Sequence, residues 1–238
     1  MSFHLLPILD KIDQLYQISR NRKRFEQYLH LLQAGNKNDL KLPIGGFNPM
    51  ANDHTHTKLK ALINLGTEQI VQQTLGKLNE KWKNKHPNRS FQVTVNLIDD
   101  VGGAWSNHYT TDYKNRFDMG GLLSRNFCVP CFWMSEIYTK ELVIQRTKAA
   151  VFRTLYWLEK GKPQTLKACF KQEQFVYRNL STKGQQQTLG TKQQVFYKQY
   201  QDSDNYNLIF NFFYGDEVAK TLGYPSFGLG NGQIFELI

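Results

Sequence analysis

The stretch that decides the fold is Phe91-Gln-Val-Thr-Val-Asn-Leu-Ile98, in which apolar and polar residues alternate before the run becomes wholly apolar. This pattern is typical of a β-strand that has first one face and then both faces in a protein core. Asp99 and Asp100 follow directly, and the Val-Gly-Gly run after them is typical of a turn. We therefore predict a strand over 91–98 that places two adjacent carboxylates at its carboxyl end.

A second apolar run, over 126–134, predicts another strand, and Pro130 inside it favours an edge position or a bulge. The connection between the two strands has about 27 residues, which is enough for the crossover that parallel strands require. Parallel pairing would bring Asp99, Asp100 and Glu136 to one edge of the sheet, whereas antiparallel pairing would separate them. The sequence leaves this choice open.

Helical patterns outnumber the strands along the chain. Ser135 and Glu136 are expected to cap a long helix over about 136–160, because Gly161 and Pro163 stand just beyond its end. The other helices are predicted over about 7–34, as one helix or as two that meet near the basic run 19–24, and over about 57–64, 67–86, 164–174, 189–201 and 205–222, with a break near Gly215 and a third strand over 208–214 as the alternative.

The length of 238 residues allows one large domain, and neither repeats nor a clear linker divide it. We therefore expect a single α-rich α+β domain over 1–238, with several helices around a small sheet. In this interpretation a helical segment over about 7–86 packs on an α/β portion over about 90–238. A hydrophobic content of 40% and an aromatic content of 13% exclude a disordered chain.

Charge and cysteine content limit the partners and the compartment. The formal net charge of +10 predicts weak, salt-sensitive binding to any polyanion. No stretch approaches the roughly 20 apolar residues of a membrane span, and the start lacks the basic region of a signal peptide. Three cysteines cannot form a disulfide framework. We therefore expect a basic, cytoplasmic protein without a membrane partner, and its oligomeric state stays open.

The residues after the first predicted strand carry the candidate chemistry, because ligands of open sheets bind outside the carboxyl ends of the strands. His108 is the candidate acid–base group, and Asp99 and Asp100 are candidate catalytic carboxylates that would hold a divalent cation or act as a base. The candidate ligand-binding residues, which offer stacking, hydrogen bonding or charge, are Trp105, Asn107, Tyr109, Asp112, Arg116 and Glu136. The identity of any metal stays open, and ordinary turn and capping chemistry is the alternative explanation of these residue types.

Three further patterns favour a structural explanation. Cys128-Val-Pro-Cys131 lies inside a strand-like run instead of opening a helix, so both thiols are expected to be buried and slow to react. His54 and His56 are expected in a polar loop, with a zinc site shared with the two cysteines as the alternative. The basic run 20–24 is expected to be a solvated surface, with nucleic-acid contact as the alternative.

The last two thirds of the chain carry a series of short motifs in a fixed order. The motifs are Asp99-Asp100, Gly102-Gly103, Trp105, Asn107 and Tyr109, then Trp133, Ser135-Glu136, Gly215-Asp216-Glu217, Gly223-Tyr224-Pro225 and Gly228-Leu229. In this order they resemble a family of uncharacterised bacterial proteins of unknown function. The resemblance implies a bacterial origin. It implies no activity, and no catalytic residue is carried over from it.

Three classes of function are compatible with these observations. The leading hypothesis is a cytoplasmic protein that binds a small molecule in a polar pocket over 99–116, with hydrolysis as the reaction if it is an enzyme. The second hypothesis is a non-catalytic nucleic-acid-binding protein that uses its basic surface. The third is a protein interaction module without chemistry of its own. The substrate and the question of catalysis itself stay open.

Overall fold

The computed structural model describes residues 1–33, 42–43, 48–51, 53–82, 88–101, 106–180 and 189–230. The chain divides into two compact units, of which unit 1 comprises Met1–His108 and Gly120–Ala150. Unit 2 comprises Tyr109–Met119 and Val151–Ile238. Within the described residues, helices far outweigh a small parallel sheet, which confirms the predicted α-rich α+β class. The single domain and its packing boundaries stay a prediction.

Fifteen elements occur in the described residues. In chain order they are β1 (Ser2–Leu5), α1 (Leu9–Gln17), α2 (Arg22–Leu32), α3 (Asp53–Asn64), α4 (Thr67–Trp82), β2 (Ser90–Val93), β3 (Asn96–Ile98), α5 (His108–Phe117), α6 (Gly120–Leu123), β4 (Phe127–Cys128), β5 (Cys131–Trp133), α7 (Lys140–Lys160), α8 (Leu166–Leu180), α9 (Thr191–Tyr200) and α10 (Tyr206–Thr221). None of these helices combines the length and the apolar content that a membrane span requires.

The two predicted strands are each interrupted, so that they form two pairs. β2 pairs with β4 and β3 pairs with β5, and both pairs are parallel. The second predicted strand is interrupted at Pro130, which has no N–H to donate. The carbonyl of Pro130 still accepts a hydrogen bond of 3.0 Å from Asn96 N. Parallel pairing places the carboxyl ends of β3 and β5 at the same edge, which is the arrangement that the candidate site requires.

A strand that the sequence analysis missed, β1, pairs in parallel with β2 and, among the described strands, stands at one edge of the three-stranded sheet β1-β2-β4. Its backbone at Phe3 is held by the amide of Asn79 on α4. Phe3 N donates to Asn79 Oδ1, and Asn79 Nδ2 donates to the Phe3 carbonyl, both at 2.8 Å. The side chain of Asn79 therefore takes the place of a neighbouring strand at this residue.

The predicted N-terminal helix starts later than Pro7 and consists of two helices, α1 and α2. The start of α1 is stabilised by Glu68 on α4, whose Oε1 accepts from Ile8 N at 2.6 Å and from Leu9 N at 3.0 Å. The basic run 20–24 lies where α1 and α2 meet. Arg24 is an exception to its predicted solvation: it is buried, and its guanidinium donates to the carbonyl of Ile18 at 2.7 Å.

Unit 2 is built on an aromatic core to which α10 contributes most. The buried side chains of this helix include Ile209, Phe210, Phe212, Phe213 and Tyr214. The segment 208–214 is therefore helical, and the third strand considered as an alternative does not form. The predicted break at Gly215 is confirmed, since its φ of 82° lies in the left-handed region that favours glycine.

Glu173 on α8 is the centre of a buried network of ion pairs in unit 2. Its carboxylate accepts hydrogen bonds from Arg153 Nε at 2.9 Å, from Arg153 Nη2 at 2.7 Å and from Arg116 Nη1 at 3.1 Å. Arg116 Nε also lies 2.7 Å from Asp112 Oδ2, which accepts a second contact of 2.7 Å from the hydroxyl of Tyr214. Burial raises the pKa of Glu173, but the two guanidinium groups outweigh this effect and lower the pKa to about 2.

The three cysteines are reduced thiols with different exposure. Cys128 and Cys169 are buried, whereas Cys131 is partly exposed. Burial raises the pKa of Cys169 to about 12, so the reactive thiolate is scarce at neutral pH. The prediction that both thiols of the Cys-Val-Pro-Cys motif are buried is therefore confirmed for Cys128 and wrong for Cys131.

We expect Cys128 and Cys169 to resist iodoacetamide in the native protein at pH 8 and Cys131 to react first, because a buried thiol is both inaccessible and protonated. The measurement is timed labelling followed by mass spectrometry of tryptic peptides. Labelling after unfolding in urea serves as the control, in which all three thiols react at similar rates. Rapid labelling of Cys169 in the native protein would contradict the prediction.

Candidate functional site

The candidate site lies in unit 1, where the ends of β3 and β5 meet. Asp99 and Asp100 follow β3, and Ser135 stands two residues after β5. Ser135 N donates to Asp100 Oδ1 at 3.0 Å, and Ser135 Oγ donates to Asp100 Oδ2 at 2.6 Å. Two hydrogen bonds therefore fix the carboxylate of Asp100 between the two strand ends.

Ser135 and Glu136 do not cap the long helix, contrary to the sequence-based prediction. Helix α7 begins at Lys140, and its first turn is capped by Thr139, whose hydroxyl accepts from Leu142 N at 3.1 Å. The capping pattern of Ser135 is locally plausible, but its hydroxyl makes a charge-assisted hydrogen bond to a distant carboxylate instead. Such a bond is stronger than a hydrogen bond to a neutral partner.

Asp100 also holds the imidazole of His108. The distance from His108 Nδ1 to Asp100 Oδ2 is 2.6 Å, and the imidazole ring stacks on Trp133 with the ring centroids 4.1 Å apart. A carboxylate can only accept, so Nδ1 donates to Asp100 and this contact fixes the tautomer of the neutral ring. Nε2 itself is buried.

The carboxyl group of Asp100 is ionised far below neutral pH. Burial raises its pKa, but the hydrogen bonds from His108 and Ser135 outweigh this effect and hold the pKa below its usual value. The side chain of Asp100 is only 2% exposed. Its negative charge is therefore stabilised by hydrogen bonds from neighbouring donors of the protein and is shielded from solvent.

Asp99 holds a second imidazole, that of His54 on α3. His54 Nε2 lies 3.1 Å from Asp99 Oδ2, and Val101 N donates to Asp99 Oδ1 at 3.3 Å. Asp99 is 7% exposed in its side chain, whereas the side chain of His54 is 43% exposed. His54 is therefore an imidazole that solvent reaches, with a buried carboxylate behind it.

The position of His54 corrects the prediction that it lies in a polar loop. Helix α3 begins at Asp53, so both His54 and His56 are helical. His56 has a different partner, because its Nε2 lies 2.8 Å from Asp13 Oδ1 and its ring stacks on Tyr16 at 5.4 Å. The two histidines thus contact different carboxylates, although they stand close together in the sequence.

Tyr16 borders the Asp99 pair and remains protonated at neutral pH. Burial raises its pKa to about 12, with a smaller contribution from the negative charge of Asp99. Its hydroxyl donates to the carbonyl of Asn48 at 3.1 Å. Tyr16 therefore acts as a hydrogen-bond donor and does not compete with the imidazoles as a base.

Glu136 reaches the predicted edge, but its carboxylate is bound to protein groups. Both of its oxygens accept from Arg146, and Oε2 also accepts from Trp133 N at 3.1 Å. Arg146 in addition donates to the carbonyl of Cys131 at 2.7 Å. Glu136 thus closes the turn after β5, and a role in ligand binding stays a prediction.

The other candidate residues divide between the two units. Asn107 is exposed in unit 1, and Trp105 lies outside the described residues. Tyr109 belongs to unit 2, where its ring meets the edge of Tyr214 at 5.8 Å. Asp112 and Arg116 belong to the buried network around Glu173, which accounts for their charges without a ligand. The ligand contacts predicted for these residues stay a prediction. Of the predicted site residues, Asp99, Asp100 and His108 lie together at the end of β3.

Two residues of the site were missed by sequence reasoning, His54 and Ser135. Their partners are 45 and 35 positions away, so no local spacing reveals them. Among the residues that the structure describes, no group of three or more His, Cys, Asp or Glu side chains is placed to hold a metal ion. The cation that the paired aspartates suggest therefore has no assembled ligand set in this part of the chain.

Comparison of the chain with models of protein families, with curated proteins and with solved structures found no match. This result agrees with the resemblance to proteins of unknown function. The bacterial origin that the resemblance implies stays a prediction.

Proposed function

We propose that this protein binds a small polar molecule at the joined ends of β3 and β5 and hydrolyses it by acid–base catalysis. One observation carries the proposal: two consecutive aspartates at the end of a parallel strand each hold an imidazole. The contacts are Asp99 with His54 at 3.1 Å and Asp100 with His108 at 2.6 Å. Parallel sheets bind their ligands at this edge, and an imidazole oriented by a carboxylate is a common general base.

His54 is the first acid–base group in this proposal, because its ring is accessible. With Nε2 donating to the carboxylate of Asp99, Nδ1 is left to accept a proton from a water molecule. The resulting hydroxide attacks the electrophilic carbon or phosphorus of the substrate, and the imidazolium returns the proton to the leaving group. Asp99 stabilises the positive charge that the ring carries between these two steps.

His108 is the second acid–base group. The Asp100 contact fixes its tautomer, and stacking on Trp133 fixes the plane of its ring. Since Nε2 is buried, proton transfer to a bound molecule requires that binding uncovers this nitrogen. The roles of the two histidines are therefore distinguishable, because the His54 side chain is 43% exposed, whereas Nε2 of His108 is buried.

The proposal is tested with p-nitrophenyl acetate, p-nitrophenyl phosphate and bis(p-nitrophenyl) phosphate as activated substrates. We expect the wild-type protein to cleave at least one of them and His54→Gln to lower kcat/KM by about 10²–10⁴-fold, the usual contribution of a general base. His56→Gln is the matched control, because it removes a neighbouring imidazole whose partner is Asp13. We expect its kcat/KM to stay close to that of the wild type.

His108→Gln is the companion variant, with a loss of similar size. If the wild-type protein cleaves none of these substrates, the hydrolytic proposal is wrong. If it cleaves one and both His54→Gln and His108→Gln retain full activity with an unchanged circular dichroism spectrum, the reaction occurs elsewhere and this site is not responsible.

A further inference from the structure

Lys58 lies one helical turn after His54 on α3, so the two side chains share a face of this helix. His54 reaches the aspartate after β3, whereas Lys58 Nζ donates to the carbonyl of Glu136, three residues after β5, at 2.7 Å. One face of α3 therefore lies across the ends of both strands and presents an imidazole at one and an ammonium group at the other.

No carboxylate of the described residues forms an ion pair with Lys58. Among the described residues its contacts are the Glu136 carbonyl and the ring of Tyr138, whose centroid is 5.4 Å from Nζ. The carboxylate of Glu136 is turned away to Arg146. An ammonium group has three N–H donors, and the carbonyl takes one of them. Lys60, by contrast, is paired with Asp13 at 2.7 Å.

The carboxylates of the site do not oppose an anion as strongly as their number suggests. The side chains of Asp99 and Asp100 are almost completely buried, and both are occupied by donors of the protein. The groups of this edge that are not fully buried include the imidazole of His54, whose side chain is 43% exposed, and the half-buried side chain of Lys58. Both attract or donate to negative charge, the first when it is protonated.

We infer that the substrate of the proposed site carries an oxyanion, a carboxylate or a phosphate, and that Lys58 binds it. That the bound anion is a substrate rests on the proposed function, but the binding of an anion is testable without any reaction. The ammonium would hold the oxyanion while the scissile bond lies toward His54. Lys58 is thus a specificity-determining residue for negatively charged small molecules.

The test follows the imidazole ¹⁵N resonances of His54 during titration with inorganic phosphate and, separately, with acetate at constant ionic strength. In the wild-type protein we expect saturable shifts with at least one anion, and in Lys58→Met an apparent Kd about tenfold higher, because a hydrogen bond to a charged donor is lost. Methionine keeps an apolar stem against Tyr138. Lys60→Met is the matched control on the same helix, with a Kd changed by less than about twofold.

Absence of a saturable shift in the wild-type protein, or an equal Kd in Lys58→Met, would overturn the inference. A larger response to phosphate than to acetate would assign the oxyanion to a phosphate, and the reverse to a carboxylate. The failure of the inference and that of the proposed function are distinguishable. Hydrolysis that needs His54 but not Lys58 refutes only the inference, and anion binding that needs Lys58 without any hydrolysis refutes only the proposed reaction.

Discussion

Replacement of Glu173 by Gln is expected to lower the free energy of unfolding by about 3–5 kcal/mol, the range measured when one partner of a buried ion pair is removed. Glutamine keeps the size of the side chain and removes its charge. Arg153 then retains no carboxylate partner among those that the structure describes, and Arg116 retains only Asp112. Two guanidinium groups would lie in the interior of unit 2 with too little negative charge to balance them.

The measurement is urea unfolding followed by far-ultraviolet circular dichroism at pH 7. Asp118→Asn is the matched control in the same unit, because it removes the exposed ion pair with Lys162, whose two atoms are 2.7 Å apart. Exposed pairs contribute only about 0–1 kcal/mol. Equal urea midpoints for Glu173→Gln and Asp118→Asn would show that the buried network does not stabilise the protein.

The same carboxylate predicts how stability changes in acid. The pKa of Glu173 is about 2 in the folded protein, against the ordinary glutamate value of 4.5. Because the folded pKa is the lower one, the unfolded chain takes up the proton first as the pH falls. The stabilisation by Glu173 is therefore complete above about pH 4.5 and is lost between that pH and about 2, and it is on the order of 3 kcal/mol.

The difference in unfolding free energy between the wild-type protein and Glu173→Gln should therefore be constant from pH 7 to about pH 5 and should shrink toward pH 2. Urea titrations at a series of pH values measure it. Asp13 and Asp100 also have lowered pKa values, but they are present in both proteins and cancel in the difference. A difference that stays constant down to pH 2.5 would mean that Glu173 keeps no lowered pKa.

The ends of the two strands were predictable from sequence because their signals are local, whereas their parallel pairing was only one of two open alternatives. The apolar runs that end at Ile98 and Met134 mark buried strands, and the long connection between them allows parallel pairing. Asp99 and Asp100 could be placed at the edge for the same reason. Strand β1 could not be found in this way, since Ser2–Leu5 is too short to show a period and its partner strand begins 88 positions later.

The partners of the site residues depend on tertiary contacts that compete with local patterns. The sequence around Ser135 is typical of a helix cap, yet its hydroxyl donates a hydrogen bond to the carboxylate of Asp100. Arg116 has the chemistry of an anion contact, yet it stands one helical turn after Asp112 and is buried beside Glu173. The i, i+4 spacing predicts that Asp112 and Arg116 pair with each other on one helix face, and this signal was available in the sequence.

The side-chain amide of Asn79 affects whether other copies of this protein can add a strand to its sheet. A parallel sheet with an open side invites a further strand, which is the first step of strand exchange and of fibril growth. At Phe3 both backbone groups that such a strand would need are already engaged by one side chain. An incoming chain would have to break two hydrogen bonds before it could form its own at Phe3, so Asn79 on α4 opposes strand addition at this residue of β1.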